Sequence, residues 1–112
     1  MDTFDVLRVP ARRRILELLG DGERSSGELV MAIHNEFGLS QPAVSQHLGV
    51  LRDNGFTTVR VDGTRRLYAL RPERLVEIDT WLESFRGLWI ESLETLAGEV
   101  ERGKRERGSN AA

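Results

Sequence analysis

The chain contains no cysteine, and that absence excludes two kinds of protein at once. No disulfide framework can form, and no thiolate is available to hold a soft metal ion. Histidine is nearly as scarce, with only His34 and His47 present. No apolar run approaches the ~20 residues that a membrane-spanning helix needs, and the N-terminus lacks the apolar core of a signal peptide. There is no Gly-rich loop followed by Lys that would cradle phosphates. The carboxylates are scattered over helical patterns, and the serines fall at helix starts or on one polar helix face. No nucleophile with a base and no paired acid and base stand out. These absences predict a protein that is not an enzyme, needs no cofactor, does not enter a membrane and stays cytoplasmic.

What is present fits one modest globular domain: 112 residues, 39% of them hydrophobic, with three prolines. The net charge of −2 argues against a nucleic-acid ligand, but its distribution argues the other way. Residues 40–71 carry five Arg against two acidic residues, whereas residues 72–101 carry two against eight. Local charge governs attraction to phosphate more than the total does.

That basic segment has the most informative pattern. Ser40 and Gln41 open a helix with Pro42 in its first turn, where a missing N–H costs nothing. Val44, Leu48 and Leu51 recur at i, i+4 and i+7 and give it a narrow buried stripe. Gly55 supplies the left-handed residue that ends it. Two β-rich runs follow, Phe56–Val61 and Thr64–Leu70, around the hairpin signal Asp62-Gly63. An odd number of loop residues would put Phe56, Tyr68 and Leu70 on one face. The other side of the helix carries Gln41, Ala43, Ser45, Gln46, Gly49 and Arg52, side chains small or polar enough to enter a groove and bond base edges and phosphates. Gly49 costs roughly 1 kcal/mol against Ala inside a helix. Close approach by another backbone or a tight helix–helix contact would each explain it.

The run LSQPAVSQHLGVLRDNGF, followed by VRVDGTRRLYAL, resembles the recognition helix and wing of the ArsR/SmtB family of bacterial repressors. The matching residues are Ser40, Gln41, Pro42, Val44, Ser45, His47, Leu48, Leu51, Arg52 and Gly55. Upstream, PARRRILELL resembles the family's second helix, and the likeness covers about residues 4–100. The resemblance implies a mainly α fold with a β-hairpin wing, a winged helix-turn-helix in the order α-α-α-α-β-β-α. It also implies a homodimer made by the first and last helices. The family's metal sites use cysteines near the third helix or Asp/His sets on the last one. Here the first position reads Arg24-Ser25-Ser26-Gly27, and the last helix has no His, so no metal site is expected.

Elsewhere Thr3 is read as the cap of a short first helix with Phe4 and Leu7 on its apolar edge. A second helix from Pro10 buries Ala11, Ile15, Leu18 and Leu19. Its Arg12, Arg13 and Arg14 are read as a solvated face pairing with Glu17 or Asp21, with phosphate contact as the alternative. Ser25 and Glu28 form a capping box for a third helix that buries Leu29, Ile33 and Phe37 and ends at Gly38. That helix is about one turn longer than the family spacing. From Pro72 a long helix follows, with Leu75, Ile78, Leu82, Phe85, Trp89, Leu93, Leu96 and Val100 near heptad spacing. A chain this size has no core large enough for all of them, so a two-fold dimer is expected.

The expected organisation is a DNA-binding and dimerisation domain over 1–103 and a flexible basic tail over 104–112. The expected function is a homodimeric repressor on a palindromic operator in double-stranded DNA. Gln41, Ala43, Ser45 and Gln46 would read bases. Ser40, His47, Arg52, Arg60, Arg65 and Arg66 would meet phosphates, with the wing tip Asp62-Gly63-Thr64 at the minor groove. Phe4, Leu7, Leu75, Ile78, Leu82, Phe85, Trp89, Leu93 and Leu96 would form the dimer contact. Two alternatives stand beside this one: a protein-interaction module on the same scaffold, and a repressor released by a small-molecule effector at the dimer interface.

Overall fold

A computed structural model describes residues 1–110, with side chains described through Gly103. The flexible tail expected over 104–112 falls on side chains outside that description, and residues 111 and 112 lie outside it altogether. The elements are α1 (Thr3–Leu7), α2 (Pro10–Leu19), β1 (Arg24–Ser25), α3 (Ser26–Phe37), α4 (Gln41–Asp53), β2 (Thr57–Asp62), β3 (Arg65–Leu70) and α5 (Glu73–Asn110). They fall into two compact units, Met1–Ile78 and a second beginning at Asp79.

The expected order of elements holds, with one addition. Arg24 and Ser25 form a two-residue strand, β1, which pairs antiparallel with β3, so the hairpin becomes a three-stranded sheet ordered β1-β3-β2. Two residues are too few for an alternating pattern to be legible in the sequence.

The core of the first unit joins Val6, Ile15, Leu29, Ile33, Val44, Leu51 and Phe56, all fully buried, with Ala11, Leu16, Leu19, Leu48 and Tyr68 around them. Each such large side chain contributes about 1.5–3 kcal/mol on leaving water. Three sequence expectations need correction here. Asp2, not Thr3, caps α1, its carboxylate accepting from the Phe4 N–H. Thr3 lies inside the helix and is buried. In α2 Leu16 is buried in place of Leu18, which is half-buried. In α3 Leu29 and Ile33 are buried, but Phe37 is 41% exposed at the last turn, where the helix has run past the core.

The helix starts follow their sequence signals. The Ser25 hydroxyl accepts from the Glu28 N–H at 3.2 Å and donates to the Glu28 carboxylate at 3.1 Å. Gly38 ends α3 with φ 71°, a left-handed conformation that suits a residue without Cβ. α3 and α4 are joined by three residues, Gly38 to Ser40.

In the hairpin, Asp62 pairs with Arg65, so the loop is Gly63-Thr64 alone. Of its two residues only Gly63 has a positive φ (64°), as a type II′ turn requires. An even loop changes the facing. Tyr68 and Leu70 sit opposite Val59 and Thr57, while Phe56 lies outside the strand and reaches the core from the end of α4.

The second unit is helical. Its apolar side chains are largely exposed, among them Leu88 at 61% and Leu93 at 65%. Trp81 and Phe85 make an edge-to-face contact with centroids 5.1 Å apart. Arg86 pairs with Asp79 and, at 2.7 Å, with Glu83. Among the described residues no helix is long and apolar enough to cross a membrane.

Candidate nucleic-acid interface

α4 is held at both ends, and that fixes which of its faces meets solvent. At the start, the Ser40 hydroxyl accepts from the Ala43 N–H at 3.3 Å, with Pro42 in the first turn. At the end, Gly55 (φ 79°) turns the chain so that its N–H reaches the Arg52 carbonyl and the Phe56 N–H reaches Leu51. This is a Schellman closure, and the apolar residues it joins, Leu51 and Phe56, are both fully buried. The Asn54 side chain adds a bond to the Val50 carbonyl at 2.8 Å.

With Val44, Leu48 and Leu51 inward, Gln41, Ser45, Gln46 and Arg52 are exposed and Ala43 is half-buried. Among the described residues the side chains of Gln41, Ser45 and Gln46 make no hydrogen bond. Their donors and acceptors are therefore available to a ligand. A Cβ added at Gly49 would meet no heavy atom within 4 Å. Neither a neighbouring backbone nor a helix–helix contact within the chain accounts for this glycine, which corrects the second of the two explanations above.

His47, half-buried, accepts a hydrogen bond at Nδ1 from Arg12 Nε at 3.2 Å. A ring nitrogen that accepts carries no proton, so the neutral ring bears its proton on Nε2. Burial, and then the adjacent Arg12 guanidinium, hold this imidazole below its ordinary value. Arg12 is itself anchored to the Val6 carbonyl at 3.4 Å. The other members of the basic run are also engaged: Arg13 with the Leu7 and Arg8 carbonyls, Arg14 with Glu17 and Glu36.

The arginines of the wing differ in their freedom. Arg66 is exposed and makes no hydrogen bond or ion pair among the described residues. Arg65 pairs with Asp62 at 3.3 Å beside the exposed turn Gly63-Thr64. Arg52 pairs with its neighbour Asp53 at 3.1 Å. Arg60 is bound at both ends of its fork by Glu23, Nε to Oε2 at 2.8 Å and Nη2 to Oε1 at 2.7 Å. These hydrogen bonds hold the Glu23 carboxyl below its ordinary value.

A further junction had no sequence signal. Arg74, in the first turn of α5, donates from Nη1 to the Asn54 carbonyl at 2.6 Å. From Nε and Nη2 it donates to the Thr3 hydroxyl at 3.2 and 2.8 Å, and it pairs with Glu77. Its guanidinium carbon lies 5.2 Å from the centroid of the Phe56 ring. One side chain thus joins α1, the end of α4 and the start of α5. Of the expected dimer residues, Leu7, Leu75, Ile78 and Leu82 are half-buried, and Phe4, Phe85, Trp89, Leu93 and Leu96 are exposed. Among the described residues no group of three His, Cys, Asp or Glu side chains is placed to hold a metal ion.

A polar-faced helix after a short turn, followed by a basic hairpin, is a winged helix-turn-helix. Residues 9–58 match the model of the bacterial regulatory proteins of the arsR family. The helix-turn-helix transcriptional regulator Rv0081 of Mycobacterium tuberculosis, described as uncharacterized, is 41% identical over 75 residues, covering 67% of this chain and 63% of that one. This chain therefore spans less than two thirds of that relative's length. The arsenical resistance operon repressor of Staphylococcus xylosus is 37% identical over 78 residues, covering 70% and 71%. A crystal structure described as a possible transcriptional regulator for arsenical resistance matches with a TM-score of 0.66 and 36% identity, over 88% of this chain and 96% of the other. The homodimeric winged helix-turn-helix DNA-binding domain of Mb0332 from Mycobacterium bovis matches with a TM-score of 0.57 and 25% identity, over 76% and 75%. The chain belongs to the ArsR family of bacterial regulators.

Proposed function

We propose that the protein is a transcriptional repressor that binds a two-fold symmetric operator in double-stranded DNA as a homodimer, and so works in the cytoplasm. The observation that carries this reading is the solvent face of α4. Gln41, Ser45 and Gln46 stand there unbonded on a helix anchored at both ends. A Gln amide can bond adenine N6 and N7 together, so Gln46 and Gln41 are the natural base readers, with Ala43 and Ser45 beside them. Ser40, the His47 Nε2–H, Arg52, Arg65 and Arg66 supply phosphate contacts, and the turn at Gly63-Thr64 presents backbone to the minor groove. The operon repressor of S. xylosus is a relative with this kind of role.

The dimer is supported by α5, where Trp81, Leu88, Trp89, Ile90, Leu93 and Leu96 are each more than half exposed in a single chain. Apolar surface repeated in this way along one helix marks an interaction site. The Mb0332 domain, described as homodimeric, has the same fold. Two-fold symmetry places the half-sites one helical turn of DNA, or a multiple of it, apart. An effector that releases the repressor would most simply act on that dimer.

Fluorescence anisotropy with the DNA upstream of its own gene and a scrambled duplex, over a salt series, tests the reading. Preference for the native duplex by about 10³ or more, with affinity falling steeply in salt, is the expected result. Gln46→Ala should alter sequence preference. Arg66→Ala should weaken both duplexes alike and flatten the salt slope by about one. Equal losses for both variants on both duplexes would refute the division between base and phosphate contacts.

A further inference from the structure

The bidentate pair between Glu23 and Arg60 occupies the hydrogen-bonding geometry that a phosphate would use. A carboxylate presents two oxygens to the guanidinium fork, as does a DNA phosphate, and the fork can serve one of them fully at a time. Arg60 lies on β2 of the wing, while Glu23 immediately precedes β1 at the opposite edge of the three-stranded sheet. The pair thus crosses the sheet, and it depends on the short strand that has no signature in the sequence. In register, Arg60 and Ser25 both pair with Leu67 of β3, so the residues at the two edges stand in one row. Neither partner is sequestered: Arg60 is 58% exposed and Glu23 34%.

We infer that Glu23 is a phosphate surrogate that withholds Arg60 from DNA and so lowers the protein's affinity for duplexes irrespective of sequence. The inference rests on the DNA-binding reading above, and it names a residue that works against binding. Arg66 and Arg65 at the wing have no comparable competitor, since Arg66 is unpaired among the described residues and Arg65 meets Asp62 through one longer contact at 3.3 Å. The effect is on discrimination. Phosphate attraction supplies essentially all of non-specific binding. A wing cation neutralised from within the fold reduces that background and leaves the base-reading face of α4 untouched.

The test is Glu23→Gln, measured by anisotropy on a fluorescein-labelled duplex of arbitrary sequence over a salt series. Asp21→Asn is the control. It removes the same charge two residues away, and Asp21 has no hydrogen bond or ion pair among the described residues. The expected result is tighter binding than in the control, by roughly three- to tenfold at low salt, with a log–log salt slope steeper by about 0.9. Adding Arg60→Gln to Glu23→Gln removes one charge of each sign and should return affinity and slope to those of the wild type. Arg60→Gln alone should leave the slope of the wild type unchanged. Circular dichroism confirms that each exposed-site variant is folded.

Three outcomes would overturn the inference. In the first, Glu23→Gln matches Asp21→Asn in affinity and slope, so that Arg60 meets no phosphate even when released. In the second, Arg60→Gln alone flattens the wild-type slope by about one, which would show that Arg60 already contacts DNA despite Glu23. In both cases the wild type still binds DNA and the proposed function survives. In the third, neither the wild type nor Glu23→Gln binds any duplex, and the DNA-binding reading fails together with the inference.

Discussion

Gly49 offers a substitution whose effects on stability and on binding should have opposite signs. It lies in the interior of α4, where glycine is less favourable than alanine by about 0.8–1 kcal/mol. A Cβ added there meets no heavy atom within 4 Å, so no steric penalty offsets that gain. Gly49→Ala should therefore stabilise the first unit by about 1 kcal/mol. For a folding unit of this size the melting temperature should rise by about 4–8 °C. The position lies one turn beyond Ser45 and Gln46. If duplex DNA packs against that face, a methyl group fills space the ligand needs, and affinity should fall by roughly tenfold, ~1.4 kcal/mol. Differential scanning fluorimetry and anisotropy on the same preparation measure both effects. A lower melting temperature would refute the argument from open space within the fold. Higher stability with unchanged affinity would instead show that DNA does not approach α4 at this point.

Arg74→Ala should destabilise the first unit by about 2–4 kcal/mol in chemical denaturation, because it strips a charged donor from the Asn54 carbonyl and the buried Thr3 hydroxyl. Arg74→Lys, which cannot span both acceptors, should recover less than half of that loss. Stability should also fall with pH on account of His47. Its folded-state value is depressed, so below the ordinary value of about 6.5 the unfolded chain takes up a proton that the folded ring resists. The contribution is fully present above that pH and declines as pH falls toward the depressed value. His47→Gln should flatten the decline, as followed by urea denaturation between about pH 7 and 5. An unchanged profile would place its origin elsewhere.

The parts of the fold that were legible in the sequence are those governed by a local rule. The start of α4 at Ser40, its end at Gly55 and the Ser25–Glu28 cap each follow from hydrogen bonds within a few residues. The polar solvent face of α4 was legible for the same reason, since Val44, Leu48 and Leu51 orient the helix. What was not legible depends on residues distant in the chain. Arg60 reads as a free wing cation until β1 brings Glu23 to it across 37 residues. His47 reads as a phosphate ligand, but which nitrogen carries its proton depends on Arg12 of α2. The Arg74 junction spans 71 residues and has no periodic pattern to announce it. The hairpin face failed on a finer point, since one residue more or less in the loop decides which side chains lie together.

The core of the first unit and the side chains packed against it draw only on residues up to Leu75, so this unit has the means to fold whether or not α5 meets a second copy. If the proposed dimer on a two-fold operator holds, a protomer can exist as a folded single copy that holds half an operator weakly. Below the dimer dissociation constant, the concentration of pairs grows with the square of the number of chains. Doubling expression would then raise operator occupancy up to fourfold, and a repressor that controls its own gene would settle at its working level more sharply than a pre-assembled dimer could.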